Sequence, residues 1–354
     1  MSTQNPNPGS QGTIQSTFTF PEFSNLVEKT FVELLQNLPL DADPLFITKS
    51  IGHGEGDVKQ MNEQDFETYA KGMPEGANAQ KGKTGIGFHK QINWYRYGLE
   101  FDITHKQRTT EKWGDVVANT MEALTQAVPL RMNLDKTHII TFGNATSYVN
   151  MDGFVRDVTT GAGTELFTAT APLAHSPFTY SNIVPGAPAF SKTALELAQQ
   201  LTVSNILDNF GVKKRMAFDT IWTSDDPETV NNVKQLLRSI SDPEQDNSGV
   251  MNPYESRMSH LVLSQLATTP EGSYDSSKAK WWGIGAFKGM GANRWQAYDL
   301  IWESPYIKGS TPMAGHTATN QEDYHNDNWS YGARGASNQG VLSSRGIIVS
   351  LVAN

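Results

Sequence analysis

Residues 109–143 read TTEKWGDVVANTMEALTQAVPLRMNLDKTHIITFG, and this stretch decides the fold. Trp113, Val116, Val117, Met121, Leu124 and Val128 recur at three- and four-residue steps, which puts them on one stripe of a helix. Thr109 or Thr110 supplies an N-cap, and Glu111 stands near the positive end of the helix dipole. Pro129 lacks an amide donor and clashes with the turn before it, so a kink is expected there. The pattern resumes with Leu130, Leu134, His138, Ile139 and Phe142, and Gly143-Asn144 provides a C-cap. The spacing predicts one kinked helix of about thirty residues, roughly 45 Å long.

Upstream, Ile92 to Ile103 alternates and is rich in aromatic and β-branched residues, the pattern of a strand. Before it, residues 48–92 hold Gly52, Gly54, Gly56, Gly72, Gly76, Gly82, Gly85 and Gly87, many charges and few aliphatics. A stretch of that length without a core of its own is a functional loop or an insert, read here as a long two-stranded extension. Residues 1–20 read as a flexible arm rich in Asn, Pro, Gly and Ser. A short amphipathic helix follows, with Phe23, Leu26, Val27, Phe31, Leu34, Leu35 and Leu38 on one stripe and Pro39 at its end.

Downstream, residues 145–190 alternate strands and turns. Ser191 caps a helix with the stripe Leu195, Ala198, Leu201, Leu207 and Phe210, ended by Gly211. A strand is expected from Arg215 to Thr223. Asp226 caps the next helix, with Pro227 at its first position and Val230, Val233, Leu236, Leu237 and Ile240 facing inward. Further strands are expected at Met258–Leu266, Trp281–Phe287, Trp295–Trp302, Asp327–Arg334 and Gly346–Val352. The fold class is mixed α+β, with no internal repeat and no βαβ alternation.

Composition narrows the function. Of 354 residues, 38% are hydrophobic and 18% charged, so the surface is built largely from neutral polar side chains. Such a surface packs against copies of itself with few charges to desolvate. The net charge of −9 disfavours nucleic-acid binding, which needs a basic stripe. The densest basic group, Lys213, Lys214 and Arg215, reads as a solvated turn before a strand. The absence of cysteine excludes disulfides, thiolate metal sites and cysteine nucleophiles. No signal peptide is read at the start, and no apolar run approaches the roughly twenty residues of a membrane span, so no membrane association is expected.

No constellation reaches catalytic grade, and no enzyme activity, cofactor or metal is expected. Gly82-Lys83-Thr84 resembles the end of a phosphate loop, yet position 77, where the first glycine belongs, is Ala77. Gly283-Ile284-Gly285, followed by Gly289 and Gly291, has the wrong spacing for a dinucleotide fingerprint and is better explained by a glycine-rich turn between the Trp281–Phe287 and Trp295–Trp302 strands. The eight histidines form no H-E-x-x-H pair, and His316 and His325, near Glu322, Asp323 and Asp327, read as a polar loop. Asp226 is accounted for as a cap, Asn144-Ala145-Thr146 as a chance sequon, and no serine sits in a G-x-S-x-G elbow. Trp281, Trp282, Trp295, Trp302, Trp329 and Tyr331 crowd the last quarter; core packing accounts for most, and burial on assembly for others.

Asn150-Met151-Asp152-Gly153, the run Gly163 to Leu173 (GTELFTATAPL), and Thr179-Tyr180-Ser181-Asn182 carry a family resemblance. They are similar to the corresponding stretches of Mu-like phage head proteins, with Ala171 in place of the usual histidine. The order of elements resembles the tailed-bacteriophage major capsid fold of the Hong Kong 97 phage type. The resemblance implies an N-terminal arm at 1–47 and an extended loop at 48–103. A spine helix and peripheral domain follow at 104–190, then an axial domain at 191–309 and a return to the peripheral domain at 310–354. It implies a major head protein that assembles in the host cytoplasm into pentamers and hexamers of an icosahedral virion shell enclosing the genome. The partners it implies are other copies of the chain, with portal, scaffolding and decoration proteins beside them. An internal scaffolding domain ahead of the spine helix is not expected. Some relatives join an extended-loop lysine to a neighbour's asparagine; Lys71, Lys81, Lys83 and Lys90 stand in that region, and solvated lysines are the expected reading. The alternatives are a secreted β-rich carbohydrate-binding protein and another phage structural part, a tail-tube or decoration protein.

Overall fold

The computed structural model describes residues 29, 40–50, 58–67, 69–104, 113–204, 206–213, 216–241, 251–287, 295–301, 306–308 and 328–353. In chain order the first elements are β1 (Ile47–Ser50), β2 (Val58–Phe66), β3 (Thr84–Asn93), β4 (Tyr95–Thr104) and α1 (Trp113–Thr141). Then come β5 (Ser147–Val149), β6 (Val155–Asp157), β7 (Ala171–Pro172), β8 (Thr179–Tyr180), α2 (Lys192–Ser204), β9 (Thr220–Thr223) and α3 (Pro227–Arg238). The last are β10 (Ser259–Val262), β11 (Trp282–Gly285), β12 (Trp295–Ile301), β13 (Tyr306–Lys308), β14 (Asn328–Val341) and β15 (Ile347–Ser350). Mixed α+β is therefore the observed class. The predicted amphipathic helix before Pro39, the caps at Thr109 and Thr110, and the His316–His325 loop lie outside the described residues.

Two compact units divide the chain: residues 1–40, 95–132 and 299–337 in one, and 41–94, 133–298 and 338–354 in the other. In the first, β4 pairs antiparallel with β14 from Tyr95↔Ser337 to Thr104↔Asn328. Gly332 is required by close approach, because a Cβ there would sit 2.7 Å from the Leu99 carbonyl oxygen. Tyr331 is fully buried, hydrogen-bonds Thr120 of α1 and lies 6.4 Å from the Phe101 ring.

The second unit is built on one four-stranded sheet, in the order β10-β9-β11-β15. β10 runs parallel to β9, and β11 is antiparallel to both β9 and β15. Alternate residues feed two cores. Ile221, Trp282, Ile284 and Ile348 face a cluster completed by Ala194, Leu195 and Ala198 of α2 and Val233, Leu236 and Leu237 of α3. Trp222, Ile347 and Val349 face the other, with Ile139 and Ile140 of α1, Tyr148, Leu166 and Phe167. A sheet covered on both faces has no polar alternation, which is why β9, β11 and β15 are buried at every position.

The local signals held where a side chain meets its own backbone. Asp226 accepts from the Thr229 amide at 2.9 Å, and Ser191 Oγ accepts from the Ala194 amide at 3.1 Å. Other expectations are corrected. α1 runs on through Pro129 to Thr141, but Leu130 is exposed, and from Met132 to Thr141 every residue is buried. That all-round burial is possible because the body answers its polar side chains. Lys136 Nζ meets Asp43 at 2.7 Å, Asn133 meets Gln265 at 2.8 Å, Arg156 lies 3.5 Å from Asp135, and Thr141 donates to the Leu266 carbonyl at 2.9 Å.

α2 stops at Ser204, so Leu207 and Phe210 lie in the turn beyond it, and Gly211 (φ +83°) serves that turn rather than a helix end. Ile240 is exposed past the end of α3. The strand-like run 92–103 is split at Trp94, its first part closing β3 and its second forming β4. Gly283 and Gly285 lie inside β11, within the strand expected at Trp281–Phe287, where the Trp222 ring covers Gly283 and Phe287 covers Gly285. Gly143 likewise makes room for Phe167, whose ring a Cβ would meet at 2.7 Å.

Gly283→Ala is therefore expected to lower stability by about 1–3 kcal/mol through overpacking, and Asp226→Ala by about 1 kcal/mol through loss of the cap, both measured by chemical denaturation. His260, bonded to Thr223 Oγ1 at 3.0 Å, is held at about 4, below its ordinary 6.5, by burial and then by the Lys234 charge. Its unfolded form takes up a proton first as pH falls, so stability is full above about 6.5 and declines from there to about 4. His260→Gln should flatten the melting-temperature profile across that window.

Candidate functional site

The feature that departs most from a packed body is the β2–β3 hairpin. Its strands pair antiparallel from Val58↔Asn93 to Phe66↔Thr84, with a register shift between Asn62 and Gln64. Asn62 faces His89 and Gln64 faces Ile86, so Gly87 and Phe88 together oppose Glu63, a bulge on β3. On β2 the side chains of Met61, Glu63 and Asp65 are buried while Gln60, Asn62, Gln64 and Phe66 are exposed. The inward face thus changes character along its length. At the root Met61, Ile92, Leu342 and Phe88 form a small apolar cluster, separate from the two cores of the sheet. Further out the inward groups are carboxylates.

These carboxylates meet a polar seat assembled from three distant loops. Arg345 Nη1 lies 3.4 Å from Glu63 Oε1, and Arg345 Nη2 donates to Asn209 Oδ1. Asn209 Nδ2 in turn donates to Asp65 Oδ2 at 2.6 Å, and His175 Nε2 stands 3.5 Å from the same oxygen. His175 stacks on Phe210 at 5.0 Å, and its amide donates to the Asn209 carbonyl at 3.0 Å. Beside the seat, burial raises the Tyr180 hydroxyl above its ordinary value, and that hydroxyl bonds Ser344 at 2.7 Å.

Beyond the strands the hairpin continues through residues 67 and 69–83. Its neck is closed by the Glu67 amide on the Lys83 carbonyl at 3.0 Å and the Lys83 amide on Glu67 Oε2 at 2.9 Å. This amide contact, with Lys71 and Lys83 nearby, holds the Glu67 carboxyl below its ordinary range. The far end is a turn at Pro74–Ala77, with Gly76 at φ +78° and the Ala77 amide on the Pro74 carbonyl at 3.1 Å. Phe66, Tyr69, Met73 and Ile86 are all more than half exposed here.

The residues singled out by sequence are scattered. Lys83 is in the neck, and Thr84 opens β3. Lys71 pairs with Glu67 at 3.5 Å, and Lys81 is exposed. Lys90 differs from the expected solvated lysine: it is buried, donates to the Thr159 carbonyl, and lies 3.4 Å from Asp157. Burial lowers its pKa, with Asp157 opposing. Asn150 organises the Asp152-Gly153 turn, accepting from the Asp152 and Phe154 amides at 3.1 and 2.9 Å, with Gly153 at φ +80°. Asn182 links the other two motif stretches, donating to the Leu166 carbonyl at 2.7 Å and accepting from the Thr168 amide at 2.9 Å. The seat itself was missed. The alternation of Glu63 with Asp65, and of Gly85 with Gly87, was its one local signal. Among the described residues no group of three or more His, Cys, Asp or Glu stands together to hold a metal ion, and no helix is long and apolar enough to cross a membrane.

Among Lys71, Lys81, Lys83 and Lys90, reductive methylation of the folded chain should modify Lys81 and Lys83 first and Lys90 last, by at least about ten-fold in rate, because a buried amine must be exposed before it reacts. Peptide mass spectrometry reads the order.

No protein-family model and no curated protein sequence matches the chain. Among solved structures it is similar to the capsid of Myoviridae phage XM1, at 10% identity and a TM-score of 0.47, over 88% of this chain and 91% of that one. It is similar to the capsid structure of cyanophage P-SCSP1u at 10% identity and a TM-score of 0.48, over 86% and 85%. It is also similar to a chain in the procapsid of bacteriophage JBD30, at 11% identity and a TM-score of 0.43, over 94% and 76%.

Proposed function

We propose that this chain is a tailed-bacteriophage major capsid protein of the Hong Kong 97 phage type, a shell subunit that assembles into pentamers and hexamers around the genome. The observation that carries the reading is the succession, in one chain, of a long hairpin at 58–93, a 29-residue helix at 113–141, and a sheet closed by the last strand, β15. That is the order the resemblance implies for extended loop, spine helix and remaining domains. On this reading residues 1–47 are the arm, 48–103 the extended loop, 104–190 the spine helix and peripheral domain, 191–309 the axial domain, and 310–354 the return.

The physics fits a shell subunit. Pentamers and hexamers close through repeated head-to-tail contacts, in which one surface of a copy meets a different surface of the next. An exposed hairpin carrying Phe66, Tyr69, Met73 and Ile86 supplies one such surface, and a second copy is the partner we assign to it. Many modest contacts per subunit then hold the shell by avidity. The net charge of −9 suits an inner wall along which packaged DNA slides without sticking. Portal, scaffolding and decoration proteins are the further partners of this reading, with assembly in the host cytoplasm. No sequence-specific nucleic-acid contact, catalysis, cofactor or metal belongs to it.

The test is to purify the full chain alone and after co-expression with its neighbouring virion proteins, then examine both by size exclusion and negative-stain electron microscopy. Closed shells, tubes or five- and six-membered rings are expected. A dilution-stable monomer of 39.0 kDa in both preparations overturns the proposal.

A further inference from the structure

The short β5–β6 ribbon carries apolar side chains on its outer face. Tyr148 and Arg156 make its buried face: the Tyr148 ring stacks on Phe142 at 4.4 Å, and Arg156 lies 3.5 Å from Asp135. Val149 and Val155, directly opposite each other across the two strands, make the outer one. Both are more than half exposed, as is Phe154, and Met151 is exposed in the same turn. That turn holds these groups out. Asn150 Oδ1 accepts from the Asp152 and Phe154 amides, the Asn150 amide donates to the Phe154 carbonyl at 2.9 Å, and the Gly153 amide to the Asn150 carbonyl at 2.9 Å. Four hydrogen bonds within five residues present the apolar groups from a preformed hairpin and not from a loose loop.

The charge around this face has one sign. Asp152 stands exposed in the turn itself. Glu271, also exposed, joins it from a neighbouring turn, whose Gly272 would set a Cβ 4.0 Å from Met151 Cε. From Asn144 to Ser191 the chain has no lysine and one arginine, Arg156. Arg156 and Lys90, the cations that do reach this ribbon, are buried and meet Asp135 and Asp157. A surface apolar at its centre and acidic at its edge is complementary to a segment apolar on one side and cationic on the other. Another copy of the chain matches that poorly. It carries a net charge of −9, and its α2 and α3 turn their apolar stripes into the sheet.

We infer that the outer face of β5–β6 is a docking surface for a cationic amphipathic segment of a separate protein. The apolar stripe of that segment covers Val149, Phe154 and Val155, and its lysines or arginines reach Asp152 and Glu271. The inference goes beyond the shell reading and does not depend on it.

Fluorescence anisotropy with the full-length chain tests it, using a labelled peptide of about five helical turns with leucines on one stripe and lysines elsewhere. The same composition with the stripe scrambled, and a leucine–glutamate version, are the controls. The striped lysine peptide is expected to bind at least about ten-fold tighter than either control, and less tightly as salt rises. Phe154→Ser with Val155→Ser, and separately Asp152→Ser with Glu271→Gln, should each weaken it at least about five-fold. Equal binding of striped and scrambled peptides, or no binding of either, overturns the proposal, as do variants that bind like wild type. Variants that keep the peptide but lose self-association, read by size exclusion, assign the face to a second copy and overturn it too. If the apolar variant does not fold, the charge variant, altered only at exposed positions, decides alone.

Discussion

The second unit depends on one flat contact. Trp222 lies over Gly283 of the neighbouring strand, and Phe167 stacks parallel to it at 6.4 Å and 13°. Phe167 in turn occupies the space left by Gly143, at the end of α1. Two glycines and two aromatic rings thus fix how far the strand-to-helix spacing closes on this face. Packing at interior density leaves no slack for a methyl group at either glycine. The polar girdle around residues 132–141 follows from that closeness. Once the helix is drawn against the sheet, its Asn133, Lys136 and Thr141 side chains lose water and must find partners in the body.

The hairpin shows the opposite solution. Its inward residues beyond the root are Glu63 and Asp65, where aliphatic residues would have bound more tightly. Apolar residues on that face would also have been an aggregation hazard whenever the hairpin was exposed during folding, since a two-stranded ribbon has two open edges. Charged inward residues are a known protection for such edges, and here the same groups specify one seat.

Much of this architecture could be read from the chain, for identifiable reasons. α1, α2 and α3 announce themselves because periodicity and capping are local: Asp226 with Thr229, or Ser191 with Ala194, are a few residues apart. An extension was visible at 48–92 as a long glycine-rich stretch without a core, although its hairpin is Val58–Asn93 and the strand-like run beyond it pairs with β14 instead. What failed to show was everything decided at long range. Glu63 and Arg345 are 282 residues apart, and Asp65 and Asn209 are 144 apart, so no window of sequence contains the seat. That Gly283 makes room for the Trp222 ring did not show either, because the ring belongs to another strand. Lys90 read as solvated because the carbonyl it reaches, that of Thr159, is 69 residues away. The extent of α1 burial was hidden for the same reason.

The bulge at Gly87–Phe88 also governs where the chain can change length. Because it fixes which face each residue of β3 presents, a residue added within either strand would turn the remaining side chains over and empty the seat. The turn at Pro74–Ala77 lies outside both strands, is exposed, and is closed by its own Ala77 amide on the Pro74 carbonyl. Foreign peptide spliced there would leave the register untouched, making this turn the natural point for displaying an epitope on the folded subunit.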